Sequence, residues 1–161
     1  MTRSSFDAVI EVIEALQSHA IPYMLVGAFS SNAYSYPRAT NDADIVIDYR
    51  EGVLSKFRES LGDDFSLDPQ MSFELKTGSI RNVLTFRPTK FDIELFRLGK
   101  DPHHQMRFSR RRRMQLPDLK IEAVIPTAED VVIQKLRWQR EKDIADARLV
   151  IQIQSKQLDW A

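Results

Sequence analysis

Cysteine is absent from this chain of 161 residues, which excludes disulfides, thiolate metal sites and a cysteine nucleophile. Net charge is absent as well. The 23 basic residues balance the 23 acidic ones, so no global field marks the chain as a binder of nucleic acid or membrane, and any anion site must be local. No apolar run approaches the roughly eighteen residues of a membrane span, and the N-terminus lacks the apolar core of a signal peptide. The expected location is therefore the cytoplasm. What remains is ordinary for a globular protein, at 43% hydrophobic and 29% charged residues. No linker interrupts it, and the length suits one domain over 1–161 with a substantial core.

The organising stretch is Asp42-Ala43-Asp44-Ile45-Val46-Ile47-Asp48, which reads as a strand of alternating polar and apolar residues. Residues two apart on a strand share a face, so Asp42 and Asp44 stand side by side while Ala43, Ile45 and Ile47 turn toward a core. Adjacent carboxylates repel, and each is costly to desolvate, so holding them together points to a divalent cation between them. Upstream, the strand-length apolar run from Ile21 to Val26 ends at Gly27-Ala28-Phe29-Ser30-Ser31, small residues at a turn into a helix that Pro37 breaks. Small residues there let backbone N–H groups and a helix N-terminus approach a phosphate closely, with Ser30 or Ser31 offering a hydroxyl. Strand, turn, helix and Asp-x-Asp together read as a phosphate cradle facing a metal site. Arg38 and Thr40 lie between the break and the acids, where Arg38 either meets a phosphate or pairs with a nearby acid to hold the loop.

The flanking segments supply the scaffold. Ser4 or Ser5 caps a first helix whose Phe6, Val9, Ile10, Ile13 and Leu16 form a core stripe. A second amphipathic helix is expected over 50–61, closed by a solvated turn at Gly62-Asp63-Asp64. Phe73 to Leu75 reads as a strand, and Asn82 to Arg87 and Phe91 to Phe96 read as a hairpin, with Asp92 and Glu94 on one face of its second strand. Asp101-Pro102 opens a short helix; its neighbours His103 and His104 point about 100° apart and read as surface residues rather than metal ligands. The run Arg110 to Arg113 is either a phosphate patch or a solvated edge strand that discourages aggregation. Leu119 to Ile125 reads as a strand. Thr127 then caps a long helix toward residue 153 with Lys135 near its apolar side, Lys142 and Asp143 read as a surface ion pair, and Leu158 and Trp160 suggest a docked tail.

Val26-Gly27-Ala28 followed by Arg38-Ala39-Thr40-Asn41-Asp42-Ala43-Asp44 resembles the nucleotidyltransferase superfamily with the DNA polymerase beta-like core, over about 20–150. Within it, these residues and Arg140-Glu141-Lys142-Asp143 look like the branch holding AbiEii-type abortive-infection toxins and stand-alone bacterial nucleotidyltransferase-like proteins. Ala28 departs from the usual second Gly or Ser of the turn. The resemblance implies an α+β domain, a short mixed sheet flanked by helices with a long C-terminal helix. It implies catalytic and metal-binding roles for Asp42, Asp44 and Asp92, with Glu94 the alternative third acid, and nucleotide contacts from Gly27, Ala28, Ser30, Arg38, Thr40 and Lys135.

The expected chemistry is transfer of a nucleoside monophosphate from a nucleoside triphosphate to a hydroxyl of tRNA or a protein, with two Mg2+ ions. Expected partners are the triphosphate, that acceptor, and an antitoxin-like protein or a second copy of the chain, with no membrane. A nucleotide-binding or protein-interaction module on the same fold is the alternative. A nuclease using the same acids fits less well, because the small-residue turn suits a triphosphate better than a phosphodiester.

Overall fold

The computed structural model describes residues 2–50, 52–75 and 78–161. Helix α1 (Ser5–Ser18) begins where Ser4 Oγ accepts the Asp7 N–H while the Asp7 carboxylate accepts the Ser4 N–H, a reciprocal cap that satisfies two otherwise orphan donors. Strand β1 (Tyr23–Val26) runs directly into α2 (Gly27–Tyr34), and β2 (Asp42–Ile47) returns beside β1. Next come α3 (Val53–Ser60), the short strands β3 (Phe65–Leu67) and β4 (Ser72–Glu74), and the hairpin of β5 (Ser79–Phe86) and β6 (Phe91–Arg97). Helix α4 (Pro102–Ser109), a second hairpin of β7 (Arg112–Leu116) and β8 (Ile121–Ile125), and helices α5 (Ala128–Trp138) and α6 (Glu141–Gln154) complete the order.

The main sheet has the order β1-β2-β6-β5-β3, with β4 also paired to β5. Strands β2 and β6 run parallel and the other neighbours antiparallel, so the sheet is mixed and the domain α+β, as expected from the sequence. The period of two decides which face does what. Ala43, Ile45 and Ile47 of β2 and Phe91, Ile93 and Leu95 of β6 enter the main core, with Val9, Ile13 and Leu16 of α1 and α5 residues in the same cluster; Ile10 packs at its margin, and Phe6, expected in the stripe, is exposed at the first turn of α1. The opposite face carries Asp42, Asp44, Glu94 and, further along, Val46 and Phe96, the last two packed in a small apolar cluster with Met24, Val26 and Phe108. Among the described residues, no helix is long and apolar enough to cross a membrane.

Three expectations change. The long helix from Thr127 is two helices: Gln139 adopts a left-handed conformation at φ 58, its N–H closing on the Lys135 carbonyl, and the chain restarts at Arg140. No Gly or Pro marks that break, so the periodicity alone ran through it. In the tail, Leu158 packs on the core, but Trp160 is exposed and its indole N–H reaches only the Ser155 carbonyl. The expected helix over 50–61 is α3, somewhat shorter; Glu51 lies outside the described residues.

Strand β6 joins core and site, so its core face is the place to test the packing. Truncating fully buried Ile93 to Ala removes methylenes and leaves a cavity under the acidic face. The expected loss is about 2–5 kcal/mol, read as a lowered urea midpoint with unchanged slope.

Candidate active site

The antiparallel register of β1 and β2 sets Val26 opposite Asp44, so the chain leaving β1 turns at Gly27 directly over the Asp44 carboxylate. Gly27 has φ +65, and a Cβ there would collide with Asp44 Oδ2. Glycine alone meets both demands. Ala28 follows it on the cavity wall, while the Ser30 hydroxyl donates to the Gly27 carbonyl (2.9 Å) and Ser31 to that of Ala28 (3.1 Å), both committed to the first turn of α2.

Beneath the turn lies a cavity of about 240 Å³ that Asp42, Asp44 and Glu94 share. The parallel register pairs Asp42 with Asp92 and Asp44 with Glu94, so β6 offers an acid to each acid of β2. Asp44 holds its proton well above the usual carboxylate range: burial first, then the charges of Asp42 and Glu94 and a hydrogen bond to Glu94, push its carboxyl up to about 7. Arg81 donates to the Glu94 carboxylate at 2.7 Å, and Thr40 Oγ1 donates to Asp42 Oδ1 at 3.2 Å and its carbonyl at 3.0 Å. Asp92 stands on the same face, but Thr85 Oγ1 holds its Oδ1 at 2.6 Å and Asp92 does not line the cavity. Among the described residues, no three His, Asp or Glu side chains are arranged to hold a metal ion. The donor chemistry of Asp42 and Asp44, carboxylate oxygens only, nonetheless fits a hard divalent cation, and the missing Gly27 side chain leaves Asp44 Oδ2 approachable.

A basic wall faces these acids. Lys135 is buried, and its Nζ donates to Asp146 at 2.9 Å and Asp143 at 3.5 Å. Arg38 grips Asp146 with Nε and Nη2 (3.0 and 2.8 Å), and Arg140 grips Asp143 with Nε and Nη2 (2.5 and 3.1 Å). Burial works against both aspartates, yet the paired cations outweigh it and hold each below the usual carboxylate range. Arg38 thus ties the loop before β2 to α6 and lines the cavity as well. Asp143 is not the surface partner of Lys142: it is fully buried, because the break at Gln139 redirects α6 so that Asp143 faces Lys135.

No protein-family model and no curated protein matches the chain. Solved structures do. An antigenic nucleotidyltransferase-like protein from Paracoccidioides brasiliensis superposes with a TM-score of 0.62 at 19% identity, over 94% of this chain and 78% of that one. The chain has the nucleotidyltransferase-like fold. The antibiotic-resistance factor ANT(2'')-Ia has the same core, with TM-score 0.61, 12% identity, and 94% and 85% of the two chains covered. Its complex with adenylyl-2''-tobramycin gives 0.59 at 12% identity, over 93% and 89%.

In this nucleotidyltransferase-like fold the cavity gathers Gly27, Ala28, Arg38, Thr40, Asp42, Asp44 and Lys135, all singled out from the sequence. Ser30 instead borders a smaller recess behind Gly27. Residues that sequence reasoning missed are Arg81, Arg107 and Trp138 on the wall, and His104, which is half-buried there rather than on the surface. Their only signal is position: His104 and Phe108 are four apart on α4, as are His103 and Arg107, which gives that helix an inner side. The arginine run divides. Arg110 grips buried Asp130 at 3.0 and 2.6 Å and Arg111 stacks on the Phe108 ring, while Arg112 and Arg113 are exposed on edge strand β7.

Two outcomes follow from this geometry. Gly27→Ala, strained in φ and colliding with Asp44, lowers stability by about 1–3 kcal/mol, whereas Gly62→Ala, with nothing within 4 Å of its Cβ, stays near wild type in the same denaturation series. The second concerns pH. Folded Asp44 keeps its proton up to about 7 while the unfolded chain releases it near the ordinary 3.8 of an aspartate, so metal-free stability falls as pH rises between those values and then levels. Urea denaturation across that range shows the fall in wild type and a flatter profile for Asp44→Asn.

Proposed function

We propose that this chain is a Mg2+-dependent nucleotidyltransferase that moves a nucleoside monophosphate from a nucleoside triphosphate to a hydroxyl of tRNA or a protein. The observation that carries the reading is the placement of the Gly27 turn on Asp44: a side-chain-free stretch of backbone that a phosphate can approach lies over the acid pair that suits its counter-ions. The fold shared with ANT(2'')-Ia and the surplus of cationic side chains around the same cavity support it.

In this reading Asp42 and Asp44 hold the metal, with a third acid from β6. Asp92 is assigned that role as metal ligand and as acceptor of the hydroxyl proton, its carboxylate oriented by Thr85, while burial and the charges of Asp42 and Glu94 raise the affinity of Asp44 for a proton, which a divalent cation would compete with. Bound divalent metal supplies charge stabilisation at the phosphates and acidifies the acceptor hydroxyl. The Gly27 and Ala28 turn receives the phosphates, Lys135 and Arg38 present positive charge to them, and Thr40 fixes Asp42. The new bond joins the acceptor oxygen to the α-phosphorus, the bond to the β-phosphate breaks, and pyrophosphate leaves. Two Mg2+ ions, a cytoplasmic setting, an AbiEii-like toxin role, and an antitoxin-like partner or a homodimer complete the proposal.

The absence of a preassembled three-acid cluster among the described residues favours a second reading, a module that binds nucleotide without transferring it. Labelled transfer separates the two. With Mg2+, bulk tRNA and a protein mixture, one of the four α-labelled ribonucleoside triphosphates labels an acceptor through wild type and not through Asp42→Ala/Asp44→Ala. Asp92→Asn lowers that rate by about 10²–10⁴-fold and Glu94→Gln by less; the reverse order moves the third-acid role to Glu94. Mg2+-dependent binding with no label transferred decides for the module.

A further inference from the structure

Arg107, on the inner side of α4, is 4% exposed, and among the described residues its Nε has no hydrogen-bond partner. The acid whose charge acts on it, Asp130, is already gripped by Arg110 and by the Thr127 cap. Arg137 adds repulsion, and burial draws the guanidinium down to about 10, still charged at neutral pH. A buried guanidinium whose nearby acid is already paired with another arginine is a standing cost in the ligand-free protein. One further buried polar atom lacks a partner among the described residues, the Nε1 of Trp138, and it belongs to the same wall. Both groups are donors only, so what completes them is an acceptor, and the charge of Arg107 makes it an anion.

The place narrows the anion. Arg107 and Trp138 border the main cavity and also the small recess behind Gly27, which Lys135, Gln134 and Ser30 share. That recess holds about 10 Å³, room for one oxygen atom and not for a whole phosphate. It lies at the N-terminus of α2, a full eight-residue helix whose dipole adds to the field of Lys135 and Arg107.

We propose that Arg107, with the Trp138 indole N–H beside it, receives the terminal phosphate of a nucleoside triphosphate, one phosphate oxygen entering the recess behind Gly27. This rests on the nucleotidyl-transfer reading and makes Arg107 the residue that distinguishes triphosphate from diphosphate.

Calorimetry with Mg2+ and each nucleoside triphosphate, diphosphate and monophosphate tests it on wild type and Arg107→Met, which keeps the packed stem and removes the charge. Wild type prefers triphosphate over diphosphate; Arg107→Met binds triphosphate about 10–100-fold more weakly, down to the diphosphate level, with diphosphate and monophosphate unchanged. The ligand-free variant melts at a higher temperature than wild type, since an unmatched buried charge is gone. Equal weakening of all three nucleotides, unchanged triphosphate binding, or a lower melting temperature overturns the proposal. Should wild type bind no nucleotide, the transfer reading fails by itself, and inorganic tripolyphosphate judges the anion site: binding by wild type and not by Arg107→Met upholds it, and binding by neither overturns it.

Discussion

Like charges confined to one space repel, and the repulsion among Asp42, Asp44 and Glu94 is the constraint on which the cavity depends. Water would screen it; burial of Asp44 removes that screen, and the carboxyl answers by keeping a proton that Glu94 accepts. The neighbours follow from this. Glycine must turn over Asp44 because no side chain fits, Arg81 must reach Glu94 from β5, and Thr40 must hold Asp42 from the loop. Without a ligand the site is a set of acids whose repulsion is eased by a proton that Asp44 gives up only near neutral pH.

Across the cavity the complementary arrangement uses the opposite sign. Two aspartates of α6 hold three cations: Arg38 from the loop before β2, Lys135 from α5 and Arg140 from the cap of α6. Two carboxylates do not neutralise three cations, so this wall keeps an excess of positive charge, and its side chains are fixed before any ligand arrives. Preorganised charge of this kind costs no rearrangement when a phosphate binds. The same network also joins α6 to the loop before β2, so the acids are positioned in part by the wall that faces them.

Local signals carried much of this. The alternation in Asp42 to Asp48 and in Phe91 to Phe96 placed four acids on one sheet face, and small residues after an apolar run marked the turn at Gly27. Cavity and fold grew from those stretches. What stayed hidden depends on long-range packing. Asp143 and Asp146 look like solvated helix residues until a left-handed Gln139, unmarked by Gly or Pro, swings α6 against Lys135. Arg107 sits in a short helix whose composition gives no hint that its guanidinium is enclosed. Whether Asp92 or Glu94 reaches the cavity depends on the register between strands far apart in the chain, which no periodicity reveals.

That register has a consequence for assembly. Strands β2 and β6 are parallel neighbours separated by α3, two small strands and β5, so closing their pairing costs loop entropy and makes it a slow, non-local event. A slip of β2 by one residue would drive Asp42, Asp44 and Asp48 into the hydrocarbon interior and leave Ala43, Ile45 and Ile47 wet. The acids that equip the cavity therefore also act as proofreaders of folding, making a one-residue slip too costly to persist.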